Sequence, residues 1–155
     1  RRQARHLATD LDDTDRRILA ALRADGRLSI RTLAEQIHVS RANVYARVDR
    51  LRETGVLRGF HADVDPAAVG LGTTAYVTLN LSQHHWRTLR QRLQSLPGVV
   101  HIGLVGGEFD VVLLVRTRDN AELSRLVLDE IQNIDGVLST RTWLVFEEVE
   151  PTLRP

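Results

Sequence analysis

Two patterns in the sequence predict an α+β fold made of a helical first part and a mixed second part. Residues 11–56 hold three short runs of apolar side chains at helical spacing, separated by tight breaks. Residues 73–150 follow the order β-α-β-β-α-β, in which strand-like alternation gives way twice to helical spacing. Residues 57–72 join them as an extended strand and a linker, and residues 1–10 form a tail.

The elements follow in order. The tail carries Arg1, Arg2 and Arg5 without a hydrophobic period, which reads as a mobile, solvated terminus. A first helix starts at Asp12 or Asp13, where acidic groups suit the positive end of the helix dipole. Ile18, Leu19 and Leu22 form its buried stripe and Gly26 stops it. Ser29 caps a second helix with Leu33, Ala34 and Ile37 inward. After the break at His38-Val39, Ser40 caps a third, with Val44, Val48 and Leu51 at i, i+4 and i+7, and Gly55 ends it. Residues 56–65 read as extended, and Asp65-Pro66 with Gly70 and Gly72 as a linker.

In the second part, Ala75, Val77, Leu79 and Leu81 alternate with Thr74, Tyr76, Thr78 and Asn80, which predicts a strand with one wet face. Leu89, Leu93 and Leu96 mark a helix closed by Pro97-Gly98. Strands at 99–105 and 109–117 flank a Gly106-Gly107 turn. The second of these is apolar on both faces and is therefore central. Leu123, Leu126, Val127 and Ile131 give another helix, and residues 137–149 a last strand. Leu96-Pro97-Gly98-Val99-Val100 and Ile134-Asp135-Gly136-Val137-Leu138 echo each other at the ends of the two helices. Such repeated units build a ferredoxin-like split sheet with both helices on one face. The uncovered face predicts self-association.

Composition narrows the function. The chain has 155 residues, with 43% hydrophobic and 26% charged content, as in an ordinary globular protein. No apolar run approaches a membrane span or a secretory leader, so the expectation is a cytoplasmic protein with no membrane partner. The absence of Cys excludes disulfides, thiolate metal sites and cysteine nucleophiles. All 21 basic residues are arginine, because lysine is absent. Residues 1–62 hold 13 Arg against 8 acids, whereas residues 63–155 hold 8 Arg against 12. A basic first part suits a polyanion.

The segment from Ser29 to Leu51 has the features of a helix-turn-helix. Ala34 supplies the small residue where two helices cross, and Val39 plugs the turn. His38 stands where glycine is frequent, and His tolerates φ > 0 better than most residues. With Val44, Val48 and Leu51 inward, Ala42, Asn43, Ala46 and Arg50 turn outward, flanked by Arg41, Tyr45, Arg47 and Asp49. The first turns of such a helix meet base edges in the major groove. Arginine pairs with guanine and asparagine with adenine, which points to Arg41 and Asn43 for base contact. Arg47 and Arg50 are expected to hold phosphates, as are Ser29, Arg31 and the N–H groups at the Ser29 and Ser40 caps. The predicted partner is double-stranded DNA. A three-helix protein-interaction unit is the alternative, and Asp49 and Glu53 on the outer face speak mildly for it.

At this point the chain resembles the leucine-responsive and asparagine-type (Lrp/AsnC) regulator family, from Leu11 to Val149. The matching pieces are Leu11-Asp12-Asp13-Thr14-Asp15 with Ile18-Leu19, Asp25-Gly26-Arg27, Leu33-Ala34, and Ser40 with Arg47-Val48 and Arg50-Leu51. Gly55-Val56-Leu57, Gly107-Glu108-Phe109-Asp110, Gly136-Val137 and Thr140-Arg141-Thr142 complete the set. The resemblance implies a winged-helix-like DNA-binding domain and a ligand domain of the β-α-β-β-α-β type. It also implies homodimers that assemble to octamers, with amino acids or related metabolites as effectors bound between dimers. The effector would lie beside Gly106, Gly107, Glu108, Phe109 and Asp110, with Thr140, Thr142 and Trp143 on a neighbouring strand. Gly106 stands where the family often has Thr or Ser, which removes a hydroxyl. Glycine N–H groups can converge on a carboxylate and Asp110 can take an ammonium group; a hairpin whose glycines serve only turn geometry is the alternative.

Enzyme readings fare poorly. Gly106-Gly107-Glu108-Phe109-Asp110 superficially resembles the GG(D/E)EF signature of diguanylate cyclases but has one acid before Phe instead of two. His84-His85 lacks the further ligands a metal needs, and Glu147, Glu148 and Glu150 read as a solvated strand end. Ser29 and Ser40 are spent as caps, so no catalytic residue, metal or cofactor is expected. An RNA-binding split sheet would show aromatic residues on its central strand, and this one is aliphatic.

Overall fold

The computed structural model describes residues 10–82 and 86–149. The arginine tail, His84-His85 and Glu150 lie outside the described residues. The chain divides into two compact units, with the division after Asp63, inside the stretch read from sequence as extended and just before the linker residues Asp65-Pro66.

The first unit is three helices: α1 (Asp13–Ala24), α2 (Ile30–Ile37) and α3 (Arg41–Glu53). Each begins at a polar cap. The Asp12 carboxylate accepts the N–H of Asp15 at 2.8 Å, and the Asp15 carboxylate accepts the N–H of Asp12 at 3.2 Å. Ser29 accepts from Thr32 N–H and Ser40 from Asn43 N–H, at 3.1 and 3.2 Å. These bonds satisfy donors that a helix start leaves orphaned. His38 takes the left-handed conformation, φ 57°, and the Val39 N–H reaches the Ala34 carbonyl. Ile18, Leu22, Leu33, Ala34, Ile37, Val44 and Leu51 form the core, with Val39 and Val48 packed against it.

Residues 56–65 depart from expectation. They form no strand, so this segment supplies no wing ladder among the described residues. A strand needs a partner, and here the segment leaves Phe60 and Val64 exposed.

The second unit contains β1 (Thr73–Leu81), α4 (Trp86–Ser95), β2 (Val99–Leu104), β3 (Val111–Thr117), α5 (Asn120–Arg125) with a following π-helical turn (Leu126–Ile131), and β4 (Val137–Leu144). All pairings are antiparallel and the order is β2-β3-β1-β4, which places β3 and β1 centrally. The last three strands are shorter than predicted, and residues 145–149 lie beyond β4. Both helices cover one sheet face, where Ala75, Val77, Leu79, Val111, Leu113 and Val115 meet Leu89, Leu93, Leu123, Leu126, Val127 and Ile131. Each large aliphatic side chain buried there contributes about 1.5–3 kcal/mol of transfer free energy.

Two local findings were not expected. Helical spacing predicts a plain α-helix through Ile131, yet the Gln132 N–H bonds the Val127 carbonyl, five residues back. The wider turn keeps Leu126, Val127, Ile131 and Ile134 all buried. The predicted wet face of β1 is also partly dry: Thr78 is only 7% exposed, between Val112 of β3 and Arg141 of β4, and its Oγ1 is unpartnered.

Gly98 closes the turn into β2 at φ 89°, and a Cβ there would sit 2.8 Å from the Arg116 carbonyl oxygen. Gly98→Ala is expected to cost about 1–3 kcal/mol, read as a lowered midpoint in urea unfolding.

Candidate nucleic-acid interface and effector turn

The outer surface of α3 is built from behind. Val44 and Leu51 are fully buried. This turns Arg41, Ala42, Asn43, Tyr45 and Ala46 to solvent, with Tyr45 61% exposed. Val48 and Asp49 are half-buried. The arrangement places the first turns of α3 outward, as the sequence predicts. Among the expected phosphate holders, Arg31 is exposed and pairs with Glu35 at 2.9 Å. A pair so open to water contributes little and exchanges readily.

Arg47 and Arg50 behave differently from expectation. Their guanidinium groups converge on Asp15, whose side chain is 1% exposed. Arg47 Nη1 donates to Asp15 Oδ1 at 2.8 Å and to both oxygens of Asp12, at 2.7 and 2.8 Å. Arg50 Nη2 donates to Asp15 Oδ2. Arg47 Nε donates to Asn43 Oδ1 at 2.7 Å. Both arginines are thus engaged within the bundle instead of standing free for phosphate. The physical reason is the buried carboxylate, which needs compensation more than an exposed cation needs a phosphate. Spacing arguments missed this because a charged residue beside an apolar stripe is normally read as solvated.

Burial raises the Asp15 pKa, but hydrogen bonds from Arg50, Arg47 and the Asp12 N–H outweigh it and hold the carboxyl below its ordinary value. Asp12 is lowered too, chiefly by the Asp15 N–H and then by Arg47. The same contacts raise the pKa of Arg47, with Asp12 first and Asp15 next.

In the second unit the turn at 106–110 is exposed apart from half-buried Phe109. Gly107 has φ 134°, a conformation suited to glycine, and both Gly106 and Gly107 have open space where a Cβ would stand. Val105 N–H bonds the Asp110 carbonyl across the turn at 2.9 Å. Asp110, which the sequence reading offers to an ammonium group, accepts the Leu81 N–H with Oδ2 at 2.7 Å and so ties the turn to β1. Glu108 pairs with Arg141 at 3.0 Å, and the Arg141 guanidinium lies 5.6 Å from the Phe109 ring centroid.

The predicted effector residues do not all share a surface. Residues directly opposite on paired strands point to the same face. Thr140 and Thr142 face Leu79 and Val77 in register, on the helix-covered side, while Arg141 and Trp143 face Thr78 and Tyr76 on the other. Thr140 Oγ1 accepts from Gln132 Nε2 at 2.7 Å. Strand alternation therefore removes Thr140 and Thr142 from the turn's side and brings Arg141 to it. Arg141 was outside the predicted site; its parity with Trp143 was the available signal.

Among the described residues, no helix is long and apolar enough to cross a membrane, and no group of three His, Asp or Glu could hold a metal. A three-helix unit with a helix-turn-helix, followed by a four-stranded antiparallel α+β unit, defines a two-part DNA-binding regulator. The chain belongs to the Lrp/AsnC family of transcriptional regulators, which are not enzymes. Residues 11–52 match the AsnC-type helix-turn-helix domain, and residues 74–155 the Lrp/AsnC ligand binding domain. The HTH-type transcriptional regulator AldR of Mycolicibacterium smegmatis is 38% identical over 145 residues, which is 92% of this chain and 85% of that protein. The structure of AsnC from E. coli is similar with a TM-score of 0.84 at 28% identity, covering 94% of this chain and 99% of that one. A transcriptional regulator from Neisseria meningitidis, solved as an L-Met complex, has a TM-score of 0.81 at 27% identity, with 92% and 94% covered.

The depressed pKa of Asp15 has a signed consequence. Stability from this carboxylate is complete above its unfolded pKa, about 3.9, and is lost as pH falls through the lower folded value. Asp15→Asn should cost about 1–3 kcal/mol at pH 7, with a smaller penalty at pH 3. Urea unfolding at the two pH values checks both statements.

Proposed function

We propose that the chain reads duplex DNA with the first turns of α3 and changes its assembly or DNA binding when an amino-acid-like effector occupies the turn at 106–110. The observation that carries the DNA reading is the outward face from Arg41 to Ala46, held on a helix that is anchored from behind. Arg41 and Asn43 contact base edges; Ala42 and Tyr45 line the same approach. Ser29, Arg31, Ser40 and the N–H groups at the two helix starts take phosphates. Arg50, 43% exposed at its side chain, can reach a phosphate while it still holds Asp15, whereas Arg47 is chiefly a strut.

For the effector, the supporting features are the open space beside Gly106 and Gly107, the Glu108–Arg141 pair on the rim, and Phe109 and Trp143 on the same side as Arg141. Arg141 can exchange Glu108 for a ligand carboxylate, and Glu108 so released can take an ammonium group. That exchange assigns to Glu108 the role the sequence reading gave to Asp110. The uncovered sheet face, with Tyr76 and Trp143 exposed, supports a homodimer that assembles further, to an octamer in the family's pattern, with the effector between dimers. A cytoplasmic site of action fits a DNA partner.

Arg41→Ala is expected to weaken duplex binding about tenfold or more in gel shifts, with α-helical content unchanged. Asn43→Ala should relax preference at one base pair only. Arg141→Ala should abolish the thermal shift given by the amino acid that stabilises the wild type, and should leave DNA affinity within about twofold, because it lies outside the α3 surface.

A further inference from the structure

The contacts around Asn43 decide what its side chain can offer a base. Arg47 Nε is a donor with no acceptor capacity, so the carboxamide atom 2.7 Å away is the oxygen. Asp12 and Asp15 fix the far end of the same guanidinium with three hydrogen bonds. The four residues make one chain from the first turn of α1 to the first turn of α3. At its end the Asn43 Nδ2 group has no protein partner among the described residues, and Asn43 itself is exposed.

We infer that Arg47, locked by Asp12 and Asp15, is a positioning residue that orients Asn43 with its two Nδ2 hydrogens toward the groove. The preferred partner is then guanine, whose major-groove edge carries only acceptors, and not adenine. This rests on the DNA-reading role proposed for α3. Pairing with adenine needs the amide oxygen to accept from N6 while the nitrogen donates to N7. Here the oxygen is already committed to a cation, and an N6 amino group would have to approach beside that positive charge. Guanine N7 and O6 both accept, and the same charge attracts them. The neighbouring guanidinium therefore converts a residue with two-sided hydrogen bonding into a donor.

Selection from a randomised duplex pool by the full chain identifies the base pair whose preference disappears in Asn43→Ala. Guanine is expected there, at least about fivefold over adenine. Arg47→Met frees the amide oxygen and should bring adenine to parity or above. Asn43→Asp keeps an acceptor for Arg47 but presents an acceptor to the groove, so the preference should turn to cytosine, whose N4 amino group donates. This second variant retains the Asp15–Arg47 bridge and decides the matter if Arg47→Met does not fold in a thermal melt. Adenine at that pair in the wild type, or guanine preference unmoved in both variants, would overturn the inference. A wild type that enriches no sequence would remove the DNA-reading role itself, and the inference with it.

Discussion

The Asp15 carboxylate governs how α3 is presented. It is nearly excluded from water, and its compensation comes from two arginines three residues apart on one helix. Leaving that charge unpaired in a dry site would cost several kcal/mol, a large part of a small unit's stability. Rotation of α3 about its axis is therefore opposed twice, by the buried Val44 and Leu51 and by the bridges. The apolar contacts set which side of α3 is inside; the charges set its angle more finely. A surface meant to meet base edges benefits from such rigidity, because freedom left in the contacting side chains is an entropy cost at binding.

The second unit works by a different economy. Its four strands bury one face under α4, α5 and the π turn, and leave the other face a mixture of Tyr76, Arg141 and Trp143. The turn at 106–110 hangs from the end of β1 through Asp110, so its glycines are anchored without being filled. Family membership assigns this unit a ligand-binding role, and the Glu108–Arg141 pair is the charged feature at its rim.

Much of this was legible from sequence because it follows from periodicity and capping. Ser29 and Ser40 announce helix starts, and Val44 with Leu51 marks the buried side. The doubly apolar run at 111–117 does sit centrally, and the echo at Pro97-Gly98 and Asp135-Gly136 reflects two helices on one face. What escaped depends on partners distant in sequence. Arg47 and Arg50 could be turned inward only by a buried acid 32 and 35 residues away. The assignment of Thr140 and Thr142 to the turn's surface came from the family motif without counting strand parity, which places Arg141 there instead. Residues 56–65 look like a strand locally, but a strand is defined by what lies beside it. Thr78 was expected wet because its neighbours across the sheet were unknown.

The π turn at Leu126–Ile131 uses one residue more than regular α-helical winding would need. Regular α winding of the same residues would turn everything after the bulge by about 100° around the helix axis, carrying Ile131 and Ile134 out of the core. Gln132 would turn with them and lose its grip on Thr140 at the sheet edge. The surplus residue thus works as a spacer that sets the phase between helix and edge strand. Winding at this place in the chain is thereby coupled to how firmly β4 is tethered.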